Sequence, residues 1–268
     1  MNPHMKRWIT GVVAVPILFA VITYGSAALF TLLIVAASLV GMGEYNRMLF
    51  GTGRKREGIE TLVASAVILF AASVGNPLLM ASVLTLSVMA VMILSLLGGE
   101  KEEIDMTPVG RVVLGILYIP LLMSHFILMR QAPEGVLWVF FTLVLAFSGD
   151  TAAYYVGRKL GRRKLLPRVS PGKSVEGTLA LIAGSIAGAL VFRQLFFPMI
   201  PWMHAAVLGF VGSIVGQLGD LFESALKRSA GVKDSGVLLP GHGGILDRLD
   251  CLMFIAPLVY YYQALVIR

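Results

Sequence analysis

The sequence predicts an all-α, polytopic integral membrane protein, on three observations. Of its 268 residues 57% are hydrophobic and only 14% charged, against about 25% charged in ordinary soluble domains, and the mean hydropathy is +0.84. Apolar runs long enough to cross a bilayer, which takes about 20 residues per helix, recur from one end of the chain to the other. The 22 Lys and Arg residues are also unevenly divided between the two sides that such runs define.

Read in order between charged or Gly/Pro breaks, the apolar runs mark about nine spans, near 8–24, 26–43, 59–74, 77–97, 109–130, 135–156, 175–197, 203–226 and 251–267. The first follows Lys6 and Arg7, lacks a small-residue cleavage site and reads as a retained helix. Tyr24-Gly25 joins it to the second, and Gly75-Asn76-Pro77 joins the third to the fourth, so each pair reads as a helical hairpin. Residues 1–130 are expected to supply supporting helices and oligomer contacts. Residues 131–268 form the catalytic region, within one continuous membrane domain.

With nine spans, every Lys and Arg except Arg130, Arg193 and Arg268 falls on one side. Because cations near spans concentrate in the cytoplasm, the N-terminus is expected to be cytoplasmic and the C-terminus outside. A span missed or invented in mid-chain would destroy that asymmetry. The net charge of +7 therefore reflects topology first and attraction to anionic headgroups second. No nucleic acid partner is expected, since the basic residues accompany no DNA- or RNA-binding motif. Cys251 is the only cysteine, which excludes an intrachain disulfide and a cysteine-ligated metal site. Small residues cluster at 184–188 and from Gly209 to Gly219. Glycines four apart let helices approach closely in lipid, within one chain or across a homodimer.

The chemistry is carried by carboxylates in or beside apolar spans, where a charge costs roughly 3 kcal/mol on insertion scales and is usually kept for function. Asp150, Asp220, Glu223, Asp247 and Asp250 qualify. Asp220 and Glu223 share a helix face with Ser224 and Lys227, and Asp247 and Asp250 repeat the three-residue spacing. Such pairs suit Mg²⁺, which takes oxygen ligands and keeps positions for water and substrate phosphates. Structural ion pairing with Lys227, Arg228 or Arg248 is the alternative for each residue singly. Between the pairs runs a glycine-rich loop, Lys233 to Ile245, with Asp234, His242, Gly243 and Gly244. Its glycines could bring backbone amides onto phosphate oxygens. Upstream stand Ser148-Gly149-Asp150-Thr151, a basic run from Arg158 to Lys164, and Ser170-Pro171-Gly172-Lys173-Ser174-Val175-Glu176-Gly177. The last is not a Walker A loop, for the first glycine of that pattern is missing and no strand precedes it. No nucleophile elbow or zinc-protease histidine pair occurs. The residues point to phosphoryl or nucleotidyl transfer on cations.

From Ser224 to Asp250 the sequence SALKRSAGVKDSGVLLPGHGGILDRLD resembles the signature of phosphatidate cytidylyltransferases, the CDP-diacylglycerol synthases. Asp150-Thr151-Ala152-Ala153-Tyr154 and Ser170-Pro171-x-Lys173-Ser174-x-Glu176-Gly177 resemble a second block of that family. Cys251 departs from the Ser common there after the last Asp. The resemblance covers the C-terminal half well and the N-terminal half only in hydropathy. It implies a nucleotidyltransferase of phospholipid biosynthesis in the inner membrane, converting CTP and phosphatidic acid to CDP-diacylglycerol and pyrophosphate at the cytoplasmic face. The lipid phosphate would attack the CTP α-phosphorus in line, with Mg²⁺ alone or with a second cation. Asp220 and Asp247 are then the principal metal ligands, assisted by Asp250 and Glu223, and Asp150 either binds a cation or orients a basic residue. Lys227 and Arg248 join them as catalytic groups. Lys173, Ser174, Arg228, Lys233, Asp234, His242, Gly243 and Gly244 bind substrate. The expected partners are the two substrates, membrane lipids and a second copy of the chain in a homodimer.

Two other readings compete. In a transporter, intramembrane carboxylates would line a path and the halves would repeat, but no repeat is visible and the charges crowd one side. A relative acting with CTP on an isoprenoid alcohol or an ether lipid would share the signature, since acyl recognition comes from apolar helix faces.

Overall fold

The computed structural model describes residues 3–51, 53–97, 105–238 and 243–267, without the side chains of residues 3–11 and 13. The chain divides into two compact units, Met1–Gln131 with Asp234–Leu246, and Ala132–Lys233 with Asp247–Arg268.

The first unit holds α1 (Pro3–Tyr24), α2 (Ala27–Phe50), α3 (Lys55–Ser73), α4 (Pro77–Leu97), α5 (Thr107–Tyr118) and α6 (Pro120–Gln131). Its turns follow the local chemistry. The Ser26 hydroxyl caps α2 by accepting from the Leu29 amide at 3.1 Å. Gly75, at φ +73°, closes α3, and the Asn76 side chain caps α4 by accepting from the Leu78 and Leu79 amides. The expected span 109–130 is one apolar stretch, Thr107–Gln131, interrupted between α5 and α6 because Pro120 has no N–H to continue the ladder. Helix α3 packs against α2, α4, α5 and α6. Gly115 of α5 leaves room for the Tyr45 ring, whose hydroxyl donates to the Arg111 carbonyl at 2.6 Å.

The second unit holds α7 (Gly135–Leu160), β1 (Lys164–Leu166), β2 (Ser170–Ser174), α8 (Val175–Phe196), α9 (Trp202–Ser229) and α10 (Leu246–Val266), whose first residue belongs to the first unit. The antiparallel β1–β2 hairpin is the one sheet among the described residues of a chain that is otherwise nearly all helical. By composition the long basic connection that holds it reads only as a loop. Its tight return is held by Glu176, whose carboxylate accepts from the Arg162 and Arg163 amides. Helix α7 lies along α8, and α8 along α9, and the small residues make this possible. A Cβ on Gly188 would collide with the Ser148 side chain, one on Gly209 would stand 2.7 Å from the Ile186 Cα, and one on Gly219 2.6 Å from the Asp250 carbonyl oxygen. The glycine clusters thus serve packing within the chain.

Each of the nine apolar runs has a helical counterpart. Among the described residues seven stretches are long and apolar enough to cross a membrane: α2, α4, α5 with α6, α7, α8, α9 and α10. Helix α3 falls short because Lys55, Arg56, Glu57 and Glu60 occupy its start, and the described apolar part of α1 is only Ala14–Tyr24. Helix α4 buries little beyond Met80 and Val91 while turning Leu78, Leu86, Leu96 and Leu97 outward. That arrangement suits hydrocarbon, since lipid tails solvate leucine as well as a core does.

Candidate active site

In the second unit, α9 carries Asp220, Glu223, Ser224 and Lys227 along one side, as the three- and four-residue spacing requires. The Lys227 ammonium stands 2.5 Å from Glu223 Oε2 and 2.5 Å from Asp247 Oδ1, joining α9 to the first turn of α10. The side chains of Glu223, Asp247 and Lys227 are 0%, 8% and 11% exposed. Neither Glu223 oxygen has a well-aligned hydrogen-bond donor among the described residues, so its contact with Lys227 is an ion pair without directed geometry.

A second lysine makes the other link. Lys173 of β2 lies 2.6 Å from Asp220 Oδ2, while the Ser224 hydroxyl reaches Asp220 Oδ1 only at 3.4 Å. Ser174, the next residue, turns its buried hydroxyl to the Gly177 amide at 3.1 Å and caps α8. Asp150 on α7, Asp220 and Asp250 act on one another electrostatically, and Lys173 and Arg248 act on Asp150. Asp250 Oδ1 accepts from the Cys251 amide at 2.7 Å. Among the described residues these five carboxylates lie with Lys173, Lys227 and Arg248. No three His, Cys, Asp or Glu side chains among the described residues converge as ligands around one point. The donors among the described residues are nonetheless all hard oxygens. That fits Mg²⁺, for which one or two carboxylates suffice when substrate phosphates and water complete the shell.

Arg228 donates to the Val232 carbonyl at 3.0 Å and folds the turn after α9, and Lys233 is exposed. Asp234, Gly243 and Gly244 lie on the loop that groups with the first unit. Asp234 is exposed and Gly244 buried, and Gly243 takes φ +82°. His242 lies outside the described residues.

The chain matches the sequence profile of the Cytidylyltransferase family over residues 5–266. It belongs to that family, one of nucleotidyltransferases. The phosphatidate cytidylyltransferase of Staphylococcus haemolyticus is 31% identical over 254 residues, 94% of this chain and 96% of that one. That of a Synechocystis species is 32% identical over 98% of this chain and 97% of its own. That of Bacillus subtilis is 42% identical over 166 residues, with the alignment spanning 62% of each chain.

One residue that contacts the glycine-rich loop escapes the sequence patterns: Glu44, whose carboxylate accepts from the Ser235 hydroxyl and the Ile245 and Leu246 amides. It is a lone carboxylate at the end of an apolar run. The cost of a charge there is a signal that could have found it, but Glu44 lacks the paired spacing that singles out the other carboxylates.

Proposed function

We propose that the protein is a phosphatidate cytidylyltransferase of the inner (cytoplasmic) membrane, converting CTP and phosphatidic acid to CDP-diacylglycerol and pyrophosphate in phospholipid biosynthesis. The observation that carries this reading is the pair of lysine-tethered carboxylate groups, Lys173 with Asp220 and Lys227 with Glu223 and Asp247. Matching relatives that bear this enzyme's name add support.

In the reaction a phosphate oxygen of phosphatidic acid bonds to the α-phosphorus of CTP as the bond from that phosphorus to the bridging oxygen breaks. Pyrophosphate leaves with those electrons, and no enzyme-bound covalent intermediate is required. Both reactants are anions, so the chain's part is to hold them and offset their charge. Lys173 and Arg248 do the latter for phosphate oxygens. Lys227 fixes Glu223 and Asp247 in position. Mg²⁺ held by Asp220 and Asp247, with Asp250 and Glu223 assisting, supplies further charge neutralisation when bound.

The test is pyrophosphate release by detergent-purified protein given CTP, Mg²⁺ and phosphatidic acid. One pyrophosphate per CDP-lipid is expected, with none when the lipid is omitted. Release with another lipid phosphate but not with phosphatidic acid would move the acceptor. No release from folded protein with any lipid phosphate would overturn the reading.

Nine crossings, with the N-terminus and the reacting groups on the cytoplasmic side, belong to the same proposal. A C-terminal alkaline phosphatase fusion, active only outside the cytoplasm, is expected to be active. An inactive, intact fusion would require an even number of crossings.

A further inference from the structure

Glu44 lies in α2, 2% exposed, and no Lys or Arg pairs with it among the described residues. A buried carboxylate without a cation is costly unless donors satisfy it. Three do so, all from the far end of the sequence: the Ser235 hydroxyl at 3.1 Å, the Ile245 amide at 3.0 Å and the Leu246 amide at 3.0 Å. Hydrogen bonds to a charged acceptor are about twice as strong as neutral ones. The last two amides stand at the start of α10, where unsatisfied N–H groups and the helix dipole favour a negative charge.

The glycines of the loop fit the same carboxylate. A Cβ on Gly236 or on Gly244 would come within 2.7 Å of the Glu44 Cδ, so at both positions the backbone lies directly against it. Ser235 is 5% exposed and helps hold the acid in place. Both ends of the loop, at 235–236 and 244–246, therefore fold onto one side chain nearly 200 positions earlier in the chain.

Resting on the function proposed above, we infer that Glu44 is a positioning residue. Its carboxylate fixes the backbone at 235–236 and 244–246 in the form that serves binding of the nucleotide's triphosphate. A loop held this way offers its amides pre-oriented, whereas a loose one must be ordered as the ligand binds, at a cost in affinity.

The experiment compares wild type with Glu44→Ala and Glu44→Gln in two ways: hydrogen exchange of the 235–246 amides, and steady-state kinetics varying CTP and phosphatidic acid separately. Glu44→Ala is expected to speed exchange at Ile245 and Leu246. It should raise the KM for CTP on the order of tenfold, the equivalent of one lost charge-assisted contact, while the KM for phosphatidic acid stays near wild type. Glu44→Gln keeps one acceptor oxygen and should fall between. If Glu44→Ala does not fold, Ser235→Ala removes a single donor and should shift both readouts less, in the same direction. Unchanged exchange would overturn the inference. So would faster exchange with an unchanged KM for CTP, which would make Glu44 a purely structural acid. Wild-type protein inert toward CTP would overturn the function proposal instead, and the exchange measurement, which needs no turnover, would still decide the anchor.

Discussion

Lys227→Met is expected to abolish turnover and to lower the thermal midpoint of the purified protein sharply. The substitution keeps an unbranched side chain of similar length but removes the charge that stands 2.5 Å from both Glu223 and Asp247. Glu223 is fully buried and Asp247 nearly so. Breaking a buried pair by removing one partner costs about 3–5 kcal/mol, because it strands an uncompensated charge. Here two carboxylates lose their shared cation. The loss should fall within that range, read as the midpoint of heat-induced loss of the monodisperse peak on size exclusion.

The ion-pair account makes a further demand. Adding Glu223→Gln to Lys227→Met removes the fully buried Glu223 charge, so the double variant should recover much of the midpoint but no turnover. A double variant no more stable than Lys227→Met would mean that Lys227 acts mainly through the packing of its alkyl chain.

What the sequence disclosed of this site, and what it did not, follows from the range of its signals. Helical spacing is local and fixed by geometry, so spacing alone puts Asp220, Glu223, Ser224 and Lys227 on one face. The cost of charge in apolar runs likewise singles out Asp150 and Asp250. Spacing carries nothing across turns, however, and the pairing of Lys227 with Asp247 or of Lys173 with Asp220 needs the fold. The sequence offers both lysines as groups for the substrates' charge, and only the fold shows the carboxylate that stands beside each. The fold shows the same limit. Apolar runs locate every helix, while the break at Pro120 and the hairpin at 164–174 depend on backbone hydrogen bonding that hydropathy does not record. Glu44 is the extreme case, its donors lying 191, 201 and 202 positions away.

Asp220→Asn should separate chemistry from stability where Lys227→Met combines them. Asp220 is 32% exposed and bound to a lysine that is itself 22% exposed, so solvent can take over much of what the pair contributes, and exposed pairs are worth about 0–1 kcal/mol. The amide fills the same space and keeps one oxygen toward Lys173. The thermal midpoint is accordingly expected to stay within a few degrees of wild type, about the shift that 1 kcal/mol produces in a chain of this size. Activity should behave otherwise. If Asp220 holds Mg²⁺ against the phosphates, losing its charge removes stabilisation that matters most as charge moves onto the leaving group. A fall in kcat/KM on the order of a thousandfold, about 4 kcal/mol, is then expected. Titrating Mg²⁺ distinguishes ligation from the alternative that Asp220 only orients Lys173. A weakened ligand set should regain part of its rate at high Mg²⁺, and Lys173→Met should not reproduce that dependence. If Asp220→Asn and Lys173→Met lose the same activity and neither responds to Mg²⁺, the carboxylate serves the lysine, and the search for the metal ligand moves to Asp247 and Asp250.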